Sequence, residues 1–146
     1  MQGPKTLRSF TAIFWLGFFM AISFMEAPLK FTVPGISMAQ GVMIGRVIFS
    51  ALNKIEWLFF IVILAACFFS RPTFLLTVLI GIAGFILLLE TSWVLPLLDI
   101  NAKKLIAGQK TSGNTMHYIY GFLEILKIPV LILIGLQDLG RKQFQR

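Results

Sequence analysis

Apolar residues gather in four long stretches of the chain, separated by clusters of proline, glycine and polar residues. A helix needs about 20 mostly apolar residues to cross a bilayer. Four stretches reach that length, at roughly 7–27, 42–69, 72–98 and 115–139. Pro28, Pro34 and Gly35 are expected to break the first connection. Ser70-Arg71-Pro72 predicts a tight second one, with the proline in the first turn of the next helix. The run Gly108 to Asn114 makes the third. Short connections force antiparallel neighbours, so the pattern predicts an all-α fold: one transmembrane domain built as an up-down four-helix bundle. Gly41 and Gly45 form a GxxxG pattern that would let two helices approach closely.

Composition narrows the class. The chain has 146 residues, of which 58% are hydrophobic and 13% charged. Soluble domains carry roughly 25% charged residues, and a globule of this length cannot hide so many apolar side chains. A soluble domain and a disordered chain are both excluded. The formal charge of +7 does not point to nucleic acid, because most basic residues flank the apolar runs, where lipid headgroups lie. Lys5, Arg8, Arg71, Arg141, Lys142 and Arg146 fall on one side of the bundle, and Lys30, Lys103, Lys104 and Lys110 on the other. Six against four places both termini on the cytoplasmic side, in a bacterial inner membrane. Lys5 and Arg8 before an apolar run resemble a signal peptide. Yet Pro28 follows Ala27 and no small-x-small cleavage site stands cleanly after the run, so a retained anchor is expected. The single cysteine, Cys67, lies in an apolar run and reads as a small hydrophobe.

The acidic residues change the picture. Of six, Glu26, Glu56, Glu90, Asp99 and Glu124 fall inside or at the edge of the expected helices. A charge near the centre of a membrane helix costs roughly 2.5–3.5 kcal/mol on insertion scales. These side chains are therefore expected to turn into the bundle and meet cations, protons or metals. Antiparallel geometry gives their depth. With turns near Ala39–Gln40, Ser70–Arg71 and Gly108, the residues Glu26, Asn53, Glu90 and Glu124 come level, one per helix. Glu56 follows Asn53 by one turn. His117 precedes Glu124 by two turns on the same face, as Arg46 precedes Asn53. Arg46, Asn53 and Glu56 thus share the spacing of His117, Glu124 and Lys127, which points to two helical hairpins related by a pseudo-twofold axis.

Carboxylates converging from four helices are the layout of a dinuclear site, in which hard anionic oxygens bridge two ions and imidazole completes the shell. Glu26, Glu56, Glu90, His117 and Glu124 are the candidate ligands, with Asn53 and Asp99 as further ones. Arg46, Tyr120 and Lys127 are candidate neighbours that offset charge or donate hydrogen bonds. No ExxH occurs, however, and His117 is about 10 Å from Glu124 along the axis, whereas paired metals lie about 3.5–4 Å apart. Asp99 needs a rotation at Pro96 to face Glu90.

The strings FMEAPLKF, GRVIFSALNKIEW, LLLETSWVLPLLD and HYIYGFLEILK, one from each helix, resemble a family of small bacterial four-helix membrane proteins, the transmembrane dimetal-carboxylate proteins. Their bundle is similar to that of ferritin-like di-iron and dimanganese proteins. The resemblance covers nearly the whole chain and implies two Mn or Fe ions held by Glu26, Glu56, Glu90, His117 and Glu124, with redox capability. A metal-dependent oxidoreductase or electron carrier would follow, with a substrate the residues do not reveal. A homo-oligomer or a membrane redox partner stays open.

Two other classes compete. Buried acids also serve proton- or cation-coupled transport, and Arg46, Lys54 and Lys127 would neutralise them in a purely structural, salt-bridged core. Tyr118 and Tyr120 read most simply as interface aromatics, and Trp57 and Trp93 as packing residues. No phosphate-binding glycine loop and no Ser-His-Asp arrangement is present.

Overall fold

A computed structural model of the chain describes residues 3–109 and 115–139. The basic residues Lys110, Arg141, Lys142 and Arg146 lie outside them. Four helices dominate: α1 (Gly3–Thr32), α2 (Met38–Phe69), α3 (Phe74–Ile106) and α4 (Thr115–Leu139). Among the described residues there is no strand. All four helices are long and apolar enough to cross a membrane, and the up-down four-helix bundle is as expected.

Several helix ends differ from the sequence expectation, each for a local reason. Pro28 does not end α1, and Pro96 does not end α3. Proline lacks the N–H for an i→i−4 bond, and its ring crowds the carbonyl four residues back. Each helix widens its turn just upstream, into a π segment at Ala21–Glu26 and another at Glu90–Val94. The Ala27 N–H then reaches the Ile22 carbonyl, and the Leu95 N–H reaches that of Glu90. In α3 the Thr91 and Ser92 hydroxyls donate to the Leu87 and Leu88 carbonyls, at 2.7 and 2.6 Å, which satisfies backbone oxygens on the same stretch.

Helix α2 starts at Met38, ahead of the expected Val42. Ser37 and Gln40 form a capping box: the Gln40 N–H donates to Ser37 Oγ at 3.3 Å and the Ser37 N–H to Gln40 Oε1 at 2.8 Å. The first turn therefore centres on Gly35, at φ 86°, and not on Ala39–Gln40. Pro72 precedes the N-cap Thr73, outside the first turn of α3, which begins at Phe74.

Around the bundle, α1 packs on α2 and α4, α4 on the first half of α3, and α2 mainly on its second half. One apolar core draws on all four helices, including Trp15 and Phe19, Leu52 and Ile63, Leu76 and Leu87, Leu131 and Ile134. Outward-facing residues such as Phe10, Phe14, Val47, Phe68 and Phe85 are exposed. An apolar exterior around a core that holds charges is the inverse of a soluble protein and suits contact with lipid.

Two expectations about individual residues change. Gly41 and Gly45 do not seat a neighbouring helix. Their missing side chains leave room for the Phe31 ring and the Lys30 ammonium, which pack back from the end of α1. Arg8 is not an interfacial charge either. It is 1% exposed and donates to the Ser70 carbonyl at 3.1 Å and toward Cys67 Sγ at 3.5 Å, so it caps the C-terminal end of α2.

Candidate functional site

Three glutamates from three helices meet in the middle of the bundle. Glu56 of α2, Glu90 of α3 and Glu124 of α4 are each 0% exposed. One carboxylate oxygen from each lies within 4.8 Å of the others. Lys127 of α4, also 0% exposed, places its ammonium among them. Nζ is 2.6 Å from Glu56 Oε1, 2.9 Å from Glu90 Oε2 and 3.3 Å from Glu124 Oε1.

Local structure places each side chain. Glu124 and Lys127 are three residues apart on α4 and so share a face. Glu90 opens the π segment of α3, whose widened turn sets the direction of its side chain. Glu56 is fixed from α1: Trp15 Nε1 donates to Glu56 Oε1 at 2.9 Å. The Phe19 ring, one turn further along α1, carries the Lys127 ammonium over its face at 5.2 Å.

The charge does not balance. Three carboxylates face one ammonium, a net charge of −2 if every group is ionised. Glu56 Oε2, Glu90 Oε1 and both Glu124 oxygens are buried without a hydrogen-bond partner among the described residues. Each carboxylate thus directs an oxygen at Lys127 and keeps another unspent. Buried oxygen of this kind is costly unless a proton or cation meets it.

Of the seven ligand candidates, these three glutamates converge and the other four sit elsewhere. Glu26 pairs with Lys30 at 3.5 Å, and its side chain is 28% exposed. The first turn at Gly35 is the reason, because it lifts Glu26 about two and a half turns away from the level of Asn53. Asp99 binds Arg46 and lies 2.6 Å from Lys103 Nζ. His117 is exposed near the start of α4. Asn53 is buried one turn from Glu56, but its side-chain amide faces Thr91 Oγ1 at 3.1 Å.

Among the expected neighbours, Lys127 is at the centre, whereas Arg46 is held by Asp99. Tyr120, one turn from Glu124, is 5% exposed, packs edge-on against Phe49 and turns its hydroxyl toward the Glu124 carboxylate, so it is a neighbour of the cluster and not an interface aromatic. Trp15, Phe19 and Thr91 were missed. Trp15 carried a readable signal, an indole donor inside an apolar helix, which needs a buried acceptor.

The site and fold define a four-helix membrane protein with a buried carboxylate–ammonium cluster. No family model matches the chain, and no curated protein or solved structure is similar to it.

Proposed function

We propose that the chain is an integral membrane protein whose bundle core binds a divalent cation through Glu56, Glu90 and Glu124. The observation that carries this reading is the unspent oxygen on each of the three buried carboxylates. One divalent ion would bring three carboxylates and one ammonium to neutrality. Two would overshoot it, so the charge count favours one ion over the dinuclear arrangement of the dimetal-carboxylate proteins. A donor set of carboxylate oxygen without imidazole suits Mn(II) among the redox-capable metals, with Fe(II) second. Redox activity would rest on that metal.

The test is metal content per chain in detergent-purified protein from cells grown with ample Mn and Fe. About one Mn or Fe per chain is expected. It is lost in Glu90→Gln and Glu124→Gln and kept in Glu26→Gln, Asp99→Asn and His117→Ala. Metal-free protein after such growth overturns the reading. About two ions per chain, sensitive to His117→Ala, restores the dinuclear site.

A second reading, a proton or cation pathway, is favoured by the position of Asn53 and Thr91. Both line a cavity that reaches within a turn of the cluster. Proton flux in liposomes abolished by Glu90→Gln, with no bound metal, would select it. Cytoplasmic placement of both termini belongs to the same proposal and is tested by side-selective labelling of cysteines introduced in the two end segments.

A further inference from the structure

Between the ends of α1 and α2, the second half of α3 and the start of α4 lies a cavity of about 860 Å³. That is within the range of sites that enclose a small ligand or a lipid headgroup with part of its tails. Its charged lining is Lys30, Arg46 and Lys54 against one carboxylate, Asp99. Asp99 is already shared between Arg46 and Lys103, so the lining carries an excess of positive charge.

Two of the lining groups are buried donors with capacity to spare. The Lys30 side chain is 8% exposed, yet among the described residues its polar partner is Glu26 alone, at the long distance of 3.5 Å. The aliphatic stem is held in place because Gly45 has no side chain: a Cβ there would stand 2.8 Å from Nζ. The rings of Phe31 and Phe49 flank the ammonium at 5.5 and 5.1 Å. Asn53 is 6% exposed, and the polar contact of its amide among the described residues is Thr91 Oγ1, so whichever way the amide is turned at least one of its N–H groups has no acceptor there. An ammonium has three donors and a carboxamide nitrogen two. Groups so buried are costly without acceptors, and both line the same cavity. The ligand that answers them is rich in acceptors, anionic and partly apolar.

We propose that this cavity binds the phosphate of an anionic amphiphile, with Lys30 and Asn53 as its inner contacts and Arg46 and Lys54 as further cations. Lys30 and Arg46 lie toward the ends of α1 and α2, where headgroup phosphates sit, while Asn53 and Lys54 at the middle of α2 carry the polar lining inward. Basic pockets between membrane helices commonly take such headgroups. The exposed apolar side chains outside the cavity would carry the acyl chains. The site is separate from the glutamate cluster and stands whether or not that cluster holds a metal.

The experiment is native mass spectrometry of the full chain, released from detergent with equal amounts of phosphatidylglycerol and phosphatidylcholine. One phosphatidylglycerol per chain is expected to survive, with about tenfold preference over phosphatidylcholine, the ratio expected from a charge-assisted hydrogen bond. Lys30→Met and Asn53→Leu each lose that preference. Lys30→Arg retains it, and Lys104→Met, at an exposed lysine, leaves it unchanged. Displacement by inorganic phosphate would assign the same site to a soluble phosphate, and resistance to it assigns the lipid. Equal retention of both lipids, or unaltered preference in Lys30→Met and Asn53→Leu, overturns the proposal. Should Lys30→Met fail to fold, the Asn53→Leu and Lys30→Arg pair decides.

Discussion

Lys127→Met removes the ammonium that Glu56, Glu90 and Glu124 share, while keeping an unbranched apolar stem of similar length. Deleting one partner of a buried ion pair costs about 3–5 kcal/mol, because the charge left behind is buried and uncompensated. Here three carboxylates lose the same partner, so the lower end of that range is a floor. With about 2–4 °C of midpoint per kcal/mol in a chain of this size, the thermal midpoint should fall by at least about 6 °C. The assay is thermal unfolding in detergent followed by tryptophan fluorescence, since Trp15 donates directly to Glu56. Two further arms separate electrostatics from packing. Glu56→Gln and Glu124→Gln added to Lys127→Met should recover most of the loss, because neutral amides need no cation. Mn(II) at about one hundred times its dissociation constant should return about 2.7 kcal/mol by mass action. The contrary result is a fall of less than about 1 kcal/mol in Lys127→Met. It would mean that the carboxylates are already neutralised by protons and that Lys127 compensates nothing.

Trp15→Phe keeps the aromatic packing and removes the bond to Glu56. A hydrogen bond to a charged acceptor is worth about 1.5–3 kcal/mol, so the thermal midpoint should fall, and an unchanged midpoint would show that Glu56 is held by Lys127 alone. Gly45→Val should lower stability by about 1–3 kcal/mol through overpacking against Lys30. The mass of the particle by light scattering should not change, and a change in oligomeric state would return the glycine pair to a helix–helix role. Asp99→Asn should cost less than about 1 kcal/mol in chemical denaturation. Its pair with Arg46 is about one-third exposed on each side, where solvent screens the attraction.

The bundle was legible because hydrophobic length alone requires membrane helices, and short connections leave one arrangement of them. The depth of the acids was legible only where the turn was placed correctly. The turn at Ser70–Arg71 puts Asn53 level with Glu90 and Glu56 one turn away, and the turn near Gly108 puts Glu90 level with Glu124, but the carboxylate that α2 brings to the cluster is Glu56. The first turn was misplaced because hydrophobicity starts α2 at Val42, whereas the Ser37–Gln40 capping box starts it at Met38. The shift carries Glu26 out of the cluster, and the α1 side chain that does reach Glu56 is Trp15. The π segments were not legible from periodicity at all, since a single wide turn alters the face of a helix without altering its composition. Counted back from each proline, Glu90 stands where Ile22 does in α1, and Glu26 stands where Val94 does in α3. Ile22 packs on the core, so the position facing inward is shared, and the acid occupies it in α3 alone.

Arg46, Asn53 and Glu56 share their spacing with His117, Glu124 and Lys127. Arg46 and His117 both line the cavity between the ends of α1 and α2, the second half of α3 and the start of α4. Asn53, Glu124, Glu56 and Lys127 are all buried. At the matched pair Glu56 and Lys127 one helix carries a carboxylate and the other an ammonium, 2.6 Å apart. A pseudo-twofold relation between the hairpins, expected from that spacing, predicts that the two sides are interchangeable to first order. Glu56→Lys alone sets two ammonium groups against two carboxylates and breaks the bond from Trp15. Lys127→Glu alone gathers four carboxylates with no cation, and should be the least stable variant. The double exchange restores three carboxylates and one ammonium, and should recover the loss except for the Trp15 hydrogen bond, about 1.5–3 kcal/mol. A double-mutant cycle on thermal midpoints measures this directly, because coupling between the two sites appears as a departure from additivity. An exchanged protein no more stable than Lys127→Glu would show that the two hairpins are not equivalent at their centre, and that the ammonium works only from α4.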